Sequence, residues 1–136
     1  MAEVRVLVGG VAEGEALVLD DALSFWGGVD PSTGRVIDVH HPQRGASVAG
    51  RVLVMPSGRG SSSSSSVLAE AIRAGAGPVA IVLLEADPIV ALGAIVAREL
   101  YAARVPVVVA PNLPPIREGD RLRVDGDRDP GTLGLA

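Results

Sequence analysis

Six consecutive serines, Ser61 to Ser66, stand directly behind Gly58-Arg59-Gly60, and no other stretch of this chain gathers so many groups capable of chemistry. A hydroxyl can serve as nucleophile or base only where its charged form is stabilised. The flanking residues predict such a place. Ahead of the turn, Val52-Leu53-Val54-Met55 is a short apolar run stopped by Pro56, the pattern of a strand buried on both faces. Beyond it, Val67, Leu68, Ala71 and Ile72 recur at helical spacing, and Gly75 supplies a stop. One of the serines must begin that helix as its N-cap, and the glycines open backbone angles closed to other residues. The first-turn N–H groups then face the turn without internal partners, which makes it a ready anion site.

Competing readings of the turn can be weighed against its flanks. A serine run can be a flexible linker, but here a strand ends five residues before it and a helix starts within it. A phosphate-binding P-loop needs GxxxxGK[ST], and the chain has no lysine. A dinucleotide-binding GxGxxG turn fails because Ser63 stands in place of the third glycine. A functional turn and a plain capped turn both remain open on local grammar.

Other polar groups carry less. Asp20 and Asp21 are neighbours on an extended chain, so their carboxylates diverge and a solvated turn is the better reading. His40 and His41 diverge for the same reason and lack a nearby third ligand, which favours a polar loop over metal ligation. Phe25 and Trp26, beside Gly27-Gly28, fit either core filling or a contact surface.

The elements that must position these groups follow from periodicity and punctuation. Strands are expected at 4–8, 15–19, 35–39, 52–55, 79–84 and 105–110, with a terminal hairpin from Arg121–Val124 and Thr132–Leu135. Asp87-Pro88 announces a second helix as N-cap and first residue. Its apolar face is read as Ile89, Leu92, Val96 and Leu100, with Gly93 permitting close packing. The alternating charges from Arg117 to Asp129 suggest solvated edge strands without a site of their own. Short strands with two main helices in the second half give an α/β class, and 1–136 is expected to be a single domain.

Composition narrows the function classes. A chain of 136 residues can bury about two-thirds of its unfolded surface. With only Phe25, Trp26 and Tyr101 as aromatics, its core must be built from Val, Leu, Ile and Ala. A net charge of -4 gives no footprint for nucleic acid. The absence of cysteine rules out thiolate ligation of an Fe–S cluster by this chain and any disulfide. No apolar run is long enough for a signal peptide or a membrane span, so a cytoplasmic protein is expected.

Taken together, SFWGGVDPSTG, HPQRG, GRGS and DPI with LGA resemble the pattern of the aconitase X family, in its small-subunit or swivel-domain part, from about Gly14 to Val109. The resemblance implies a swivelling β/β/α domain. It further implies a dehydratase in which a large subunit carries the iron or Fe–S centre while this small subunit closes over the active site. In related swivel domains the serine after G-x-G removes the substrate proton, a role that falls here on Ser61. Gly58, Arg59, Gly60, Ser62 and Ser63 would then bind substrate. Relatives reading GSSR place an arginine where this chain has Ser63. Two family activities are implied as alternatives, dehydration of cis-3-hydroxy-L-proline and of mevalonate 5-phosphate, and the serine-rich turn with its VLAEAI and ARELY continuations resembles the former branch more. A non-catalytic swivel module that binds an anion or a partner is the competing class.

Overall fold

The computed structural model describes residues 1–136. Its strands are β1 (Ala2–Val8), β2 (Val11–Val18), β3 (Val52–Met55), β4 (Ala80–Leu83), β5 (Val107–Val109), β6 (Arg121–Asp125) and β7 (Gly131–Leu135). Two helices, α1 (Ser62–Arg73) and α2 (Pro88–Tyr101), link β3 to β4 and β4 to β5. The strands close into one barrel in the order β1-β5-β4-β3-β2-β6-β7, with β7 returning to β1. Strands β2, β3, β4 and β5 run parallel to one another, while β1, β6 and β7 close the barrel by antiparallel pairing. The expected α/β layering is present, but its two β layers are sheets that share β1 and β2 and so form a closed wall.

The apolar runs explain why the parallel strands sit where they do. In β3, Leu53 and Met55 join the cluster that also contains Leu68 of α1 and Val90 and Ala94 of α2. The alternate residues Val52 and Val54 join a second cluster with Leu122, Val124 and Leu133. In β4, Ile81 and Leu83 divide from Ala80 and Val82 in the same way. A strand buried on both faces needs no polar alternation, and these read as continuous hydrophobic runs. In β6 the alternation is visible, with Leu122 and Val124 buried and alternating with Arg121, Arg123 and Asp125. Both sides of β6 are paired, to β2 and β7, so the expected edge strands of the charged tail are interior members of a closed sheet. Their charges point outward, where Glu13 meets Arg123 at 3.2 Å.

Two further expectations change. Residues 35–39 form no strand: only isolated bridges join Val29 to Val36 and Arg35 to Ser47 in a long loop. The period-two pattern there reflects a segment pinned on one side by Val36, which is buried, while Ile37 and Val39 are exposed. Helix α1 starts within the serine run with Ser61 as N-cap, as expected, and Ser64 and Ser65 carry its buried face forward from Leu68 and Ala69. Helix α2 is rotated from its expected face. Its buried residues are Val90, Gly93, Ala94 and Ala97, whereas Leu92 and Leu100 are exposed. The reason lies in the helix crossing: a Cβ on Gly93 would lie 2.9 Å from both Leu68 Cδ2 and the Ser65 carbonyl oxygen. Only the smallest residues fit a contact that close, so size outweighs hydrophobicity in setting the helix phase.

Candidate functional site

The glycine-serine turn leaves the C-terminal end of β3 and enters α1. Ligand sites of open parallel sheets gather at this end of the strands, where loops and helix N-termini converge. Gly58 forms a parallel bridge with Leu23, and the Arg59 amide donates to the Leu23 carbonyl at 3.1 Å. A Cβ at Gly58 would sit 2.6 Å from both Asp87 Oδ2 and Val90 Cγ2, so the turn is pressed against the start of α2. Asp87 itself caps α2, its Oδ1 accepting from the amides of Ile89 at 2.8 Å and Val90 at 3.2 Å. The Asp87-Pro88 start read from sequence is therefore correct.

Gly60 has φ +110°, a conformation open to glycine, and delivers the chain to Ser61 as N-cap of α1. The Ser61 side chain makes no capping hydrogen bond, which is unusual for a serine at this position. Its carbonyl accepts from the Ser64 amide at 2.9 Å, so the first turn is closed by backbone alone. Ser61, Ser62 and Ser63 are exposed, as is Arg59, and no ion pair engages that guanidinium within the chain. Arg59 and Ser61 thus stand on one exposed corner, next to amides of the first helical turn that lack intrahelical acceptors.

Behind this corner lies a hydrogen-bonded knot that was not legible in the sequence. Ser24 Oγ donates to the Trp26 carbonyl at 2.9 Å and meets Ser64 Oγ at 3.1 Å. The Trp26 amide reaches Ser64 Oγ at 3.4 Å, and Ser64 Oγ lies 3.4 Å from the Arg59 carbonyl. Ser65, the next residue, turns the other way and donates to the Ile89 carbonyl of α2 at 2.7 Å. The serine run thus holds exposed residues at Ser61, Ser62, Ser63 and Ser66 and two buried ones, of which Ser64 fastens the turn and Ser65 ties α1 to α2. Only the presence of Ser24 in the same motif as Phe25 and Trp26 hints at the knot.

The open alternatives at the aromatics resolve residue by residue. Phe25 is 2% exposed and fills the core; Trp26 is 65% exposed and stands on the surface beside the turn. His41 is buried and pins its loop: the Gln43 amide donates to Nδ1 at 3.0 Å, leaving Nε2–H to donate to the Asp21 carbonyl at 3.2 Å. Gln43 in turn donates from Nε2 to Asp20 Oδ2 at 2.8 Å. His41, Gln43 and the aspartate pair are therefore parts of one loop fastening, while the His40 side chain is exposed. No group of three or more His, Cys, Asp or Glu side chains could hold a metal ion, and with no cysteine the chain does not fit an Fe–S cluster. No helix is long and apolar enough to cross a membrane.

The surface cavities lie away from the turn. The most apolar, about 460 Å³, is bordered by Met1, Ile116 and Leu135. Shifted titration is likewise remote from it. Ser32 donates its hydroxyl at 2.7 Å and its amide at 2.9 Å to Asp30 Oδ1, which holds the Asp30 carboxyl below its ordinary value. The hydrogen bond from Arg73 does the same to Glu70. The turn itself depends on exposed hydroxyls, one free guanidinium and helix amides.

Residues 1–133 match the aconitase X swivel domain family. The chain is 54% identical over 103 residues to a cis-3-hydroxy-L-proline dehydratase of Pseudomonas aeruginosa, covering 76% of this chain and 18% of that protein. It spans less than a fifth of that relative's length. A phosphomevalonate dehydratase small subunit of Thermococcus onnurineus is 44% identical over 123 residues, covering 90% of each chain. The crystal structure of Thermococcus kodakaraensis aconitase X in its holo-form superposes with a TM-score of 0.84 at 38% identity, over 100% of this chain and 99% of that one. The barrel with its two helices, the GRGS turn between β3 and α1 and these likenesses agree, and the chain belongs to the aconitase X swivel domain family.

Proposed function

We propose that this chain is the small subunit of an aconitase X-type dehydratase, with residues 1–136 acting as one swivelling unit and Ser61 as the base. The observation that carries the reading is the free Ser61 hydroxyl at the N-cap of α1, exposed and without a capping bond. Dehydration of a hydroxy acid requires loss of a proton beside a carboxylate. A serine hydroxyl is too weak a base unless its alkoxide is stabilised. The positive end of the α1 dipole favours an alkoxide at the Ser61 oxygen, and the first-turn amides of Ser62 and Ser63 are donors it can meet by rotating from its uncapped position. Arg59 is suited to receive a substrate carboxylate, while Gly58 and Gly60 let the turn that presents it pack against α2 and the Ser24 and Ser64 hydroxyls.

The iron or Fe–S centre implied for the enzyme belongs on a large subunit, because this chain offers neither thiolates nor a His/carboxylate cluster. Its own share of the reaction is proton removal and closure of the cleft. The preferred substrate is cis-3-hydroxy-L-proline, on the 54% identity to the bacterial dehydratase. Mevalonate 5-phosphate is the second reading, favoured by matches covering 90% of both chains among phosphomevalonate dehydratase small subunits.

The test is to express the chain with and without an aconitase X large subunit and assay dehydration of both compounds. Activity only in the pair, with the hydroxyproline preferred, is the expected result. Preference for the phosphate ester would reverse the substrate assignment. A rate unchanged by omitting this chain would leave it as a non-catalytic binding module.

A further inference from the structure

We infer that Ser64 and Ser24 form a hydroxyl clasp that positions the Ser61 oxygen for proton removal, an inference that rests on the reading of Ser61 as base. A helical serine ordinarily faces solvent or bonds back to its own preceding turn. Ser64 does neither fully. It is 3% exposed, and its Oγ points across to the loop carrying Trp26.

The proton inventory gives the clasp a direction. Each hydroxyl has one hydrogen to donate. Ser24 spends its hydrogen on the Trp26 carbonyl at 2.9 Å, so across the 3.1 Å contact Ser64 must be the donor and Ser24 the acceptor. Ser64 Oγ is then free to accept the Trp26 amide at 3.4 Å, while its hydrogen is shared with the Arg59 carbonyl at 3.4 Å. One buried oxygen thereby ties together the Ser24–Trp26 loop, the residue before Gly60 and the first turn of α1.

Gly60 rests directly on this oxygen pair. A Cβ there would lie 2.5 Å from Ser64 Oγ and 2.8 Å from Ser24 Oγ. The peptide entering Ser61 can therefore shift inward only by displacing the clasp. Because Ser64 is buried, it touches no substrate, and its part is that of a positioning residue.

Ser65 is the internal control. It is the adjacent residue, is equally buried at 4%, and loses one hydrogen bond on truncation, but that bond goes to Ile89 of α2. In the reconstituted pair, Ser64→Ala and Ser24→Ala should each lower kcat by about 10- to 100-fold with KM within about 2-fold, since small misplacements of a reacting group cost about that much. Their effects should not multiply in the double variant, because each opens the same clasp. Ser65→Ala should keep kcat within about 2-fold of wild type while losing thermal stability comparably. Trp26 is the chain's sole tryptophan, so its fluorescence anisotropy in the isolated chain reports on the same clasp without turnover. Ser64→Ala should free the indole segment and lower the anisotropy, and Ser65→Ala should not. Equal kcat for Ser64→Ala and Ser65→Ala in an active pair would overturn the positioning role. Failure of the wild-type pair, or full activity of Ser61→Ala, would instead remove the base assignment on which it rests; unchanged anisotropy in Ser64→Ala would remove the clasp itself. Should Ser64→Ala not fold, Ser24→Ala tests the same contact from a partly exposed loop.

Discussion

Replacing Gly93 with alanine sets two opposing effects against each other. Alanine is favoured over glycine inside a helix by about 1 kcal/mol, because glycine loses more backbone freedom on folding. Against that, the new methyl would sit 2.9 Å from Leu68 Cδ2 and 2.9 Å from the Ser65 carbonyl. The leucine end can rotate, but the carbonyl belongs to the backbone of α1, so the helices must separate. Overpacking of this kind costs about 1–3 kcal/mol. Taking about 2 kcal/mol for the clash leaves a net loss of about 1 kcal/mol. A chain of 136 residues has an unfolding entropy near 0.29 kcal/mol/K at about 2.1 cal/mol/K per residue, so Tm should fall by about 3–4 °C. Leu92→Ala is the matched comparison. Leu92 is 44% exposed, so its truncation should cost less than about 1 kcal/mol. Thermal unfolding followed by circular dichroism reads both. A Gly93→Ala protein more stable than wild type, or a Leu92→Ala loss above about 2 kcal/mol, would refute the helix phase and the close crossing.

Phe25→Ala should destabilise by about 3–5 kcal/mol and Trp26→Ala by under about 0.5 kcal/mol, as urea unfolding will show, because one ring is 2% exposed and the other 65%. Arg51 donates to the Ala16 carbonyl at 2.6 Å and to Glu118 at 2.6 Å, while Glu118 accepts the Val18 amide at 2.8 Å. Arg51→Ala should thus cost about 1–2 kcal/mol and loosen hydrogen exchange in β2. The Asp30 and Glu70 carboxyls are held below their ordinary values by Ser32 and Arg73. Lowered folded pKa values give stability that is present above the unfolded pKa and lost as pH falls through the folded one, so Asp30→Asn and Glu70→Gln should flatten the acid limb of stability between about pH 5 and 2.

The sequence was most informative where one physical requirement dominates. Continuous valine-leucine runs at β3 and β4 signal strands covered on both faces, and Asp87-Pro88 signals a capped helix start because few residues satisfy that position so well. The turn at Gly58-Arg59-Gly60 was legible for the same reason. Where two requirements compete, the pattern misled. Leu92 and Leu100 are strongly hydrophobic choices for a buried stripe, yet the close crossing with α1 at Gly93 sets a phase that buries Val90, Gly93, Ala94 and Ala97 instead. Ser64 and Ser65 lie on the buried face of α1 because each hydroxyl finds an acceptor in another element. That partner is 40 residues away for Ser64 and 24 for Ser65, beyond the reach of local periodicity. Phe25 and Trp26 could not be separated by type, since one step along an irregular loop decides which ring turns inward.

The central claim is that Ser61 removes the substrate proton, and single-turnover kinetics of Ser61→Ala in the reconstituted pair tests it most directly. With the Ser61 hydroxyl free of any capping bond, its loss should leave folding and assembly intact. The account predicts a fall in kcat of about 10²- to 10⁴-fold with substrate binding nearly unchanged. A Ser61→Ala pair that dehydrates its substrate at the wild-type rate would contradict it.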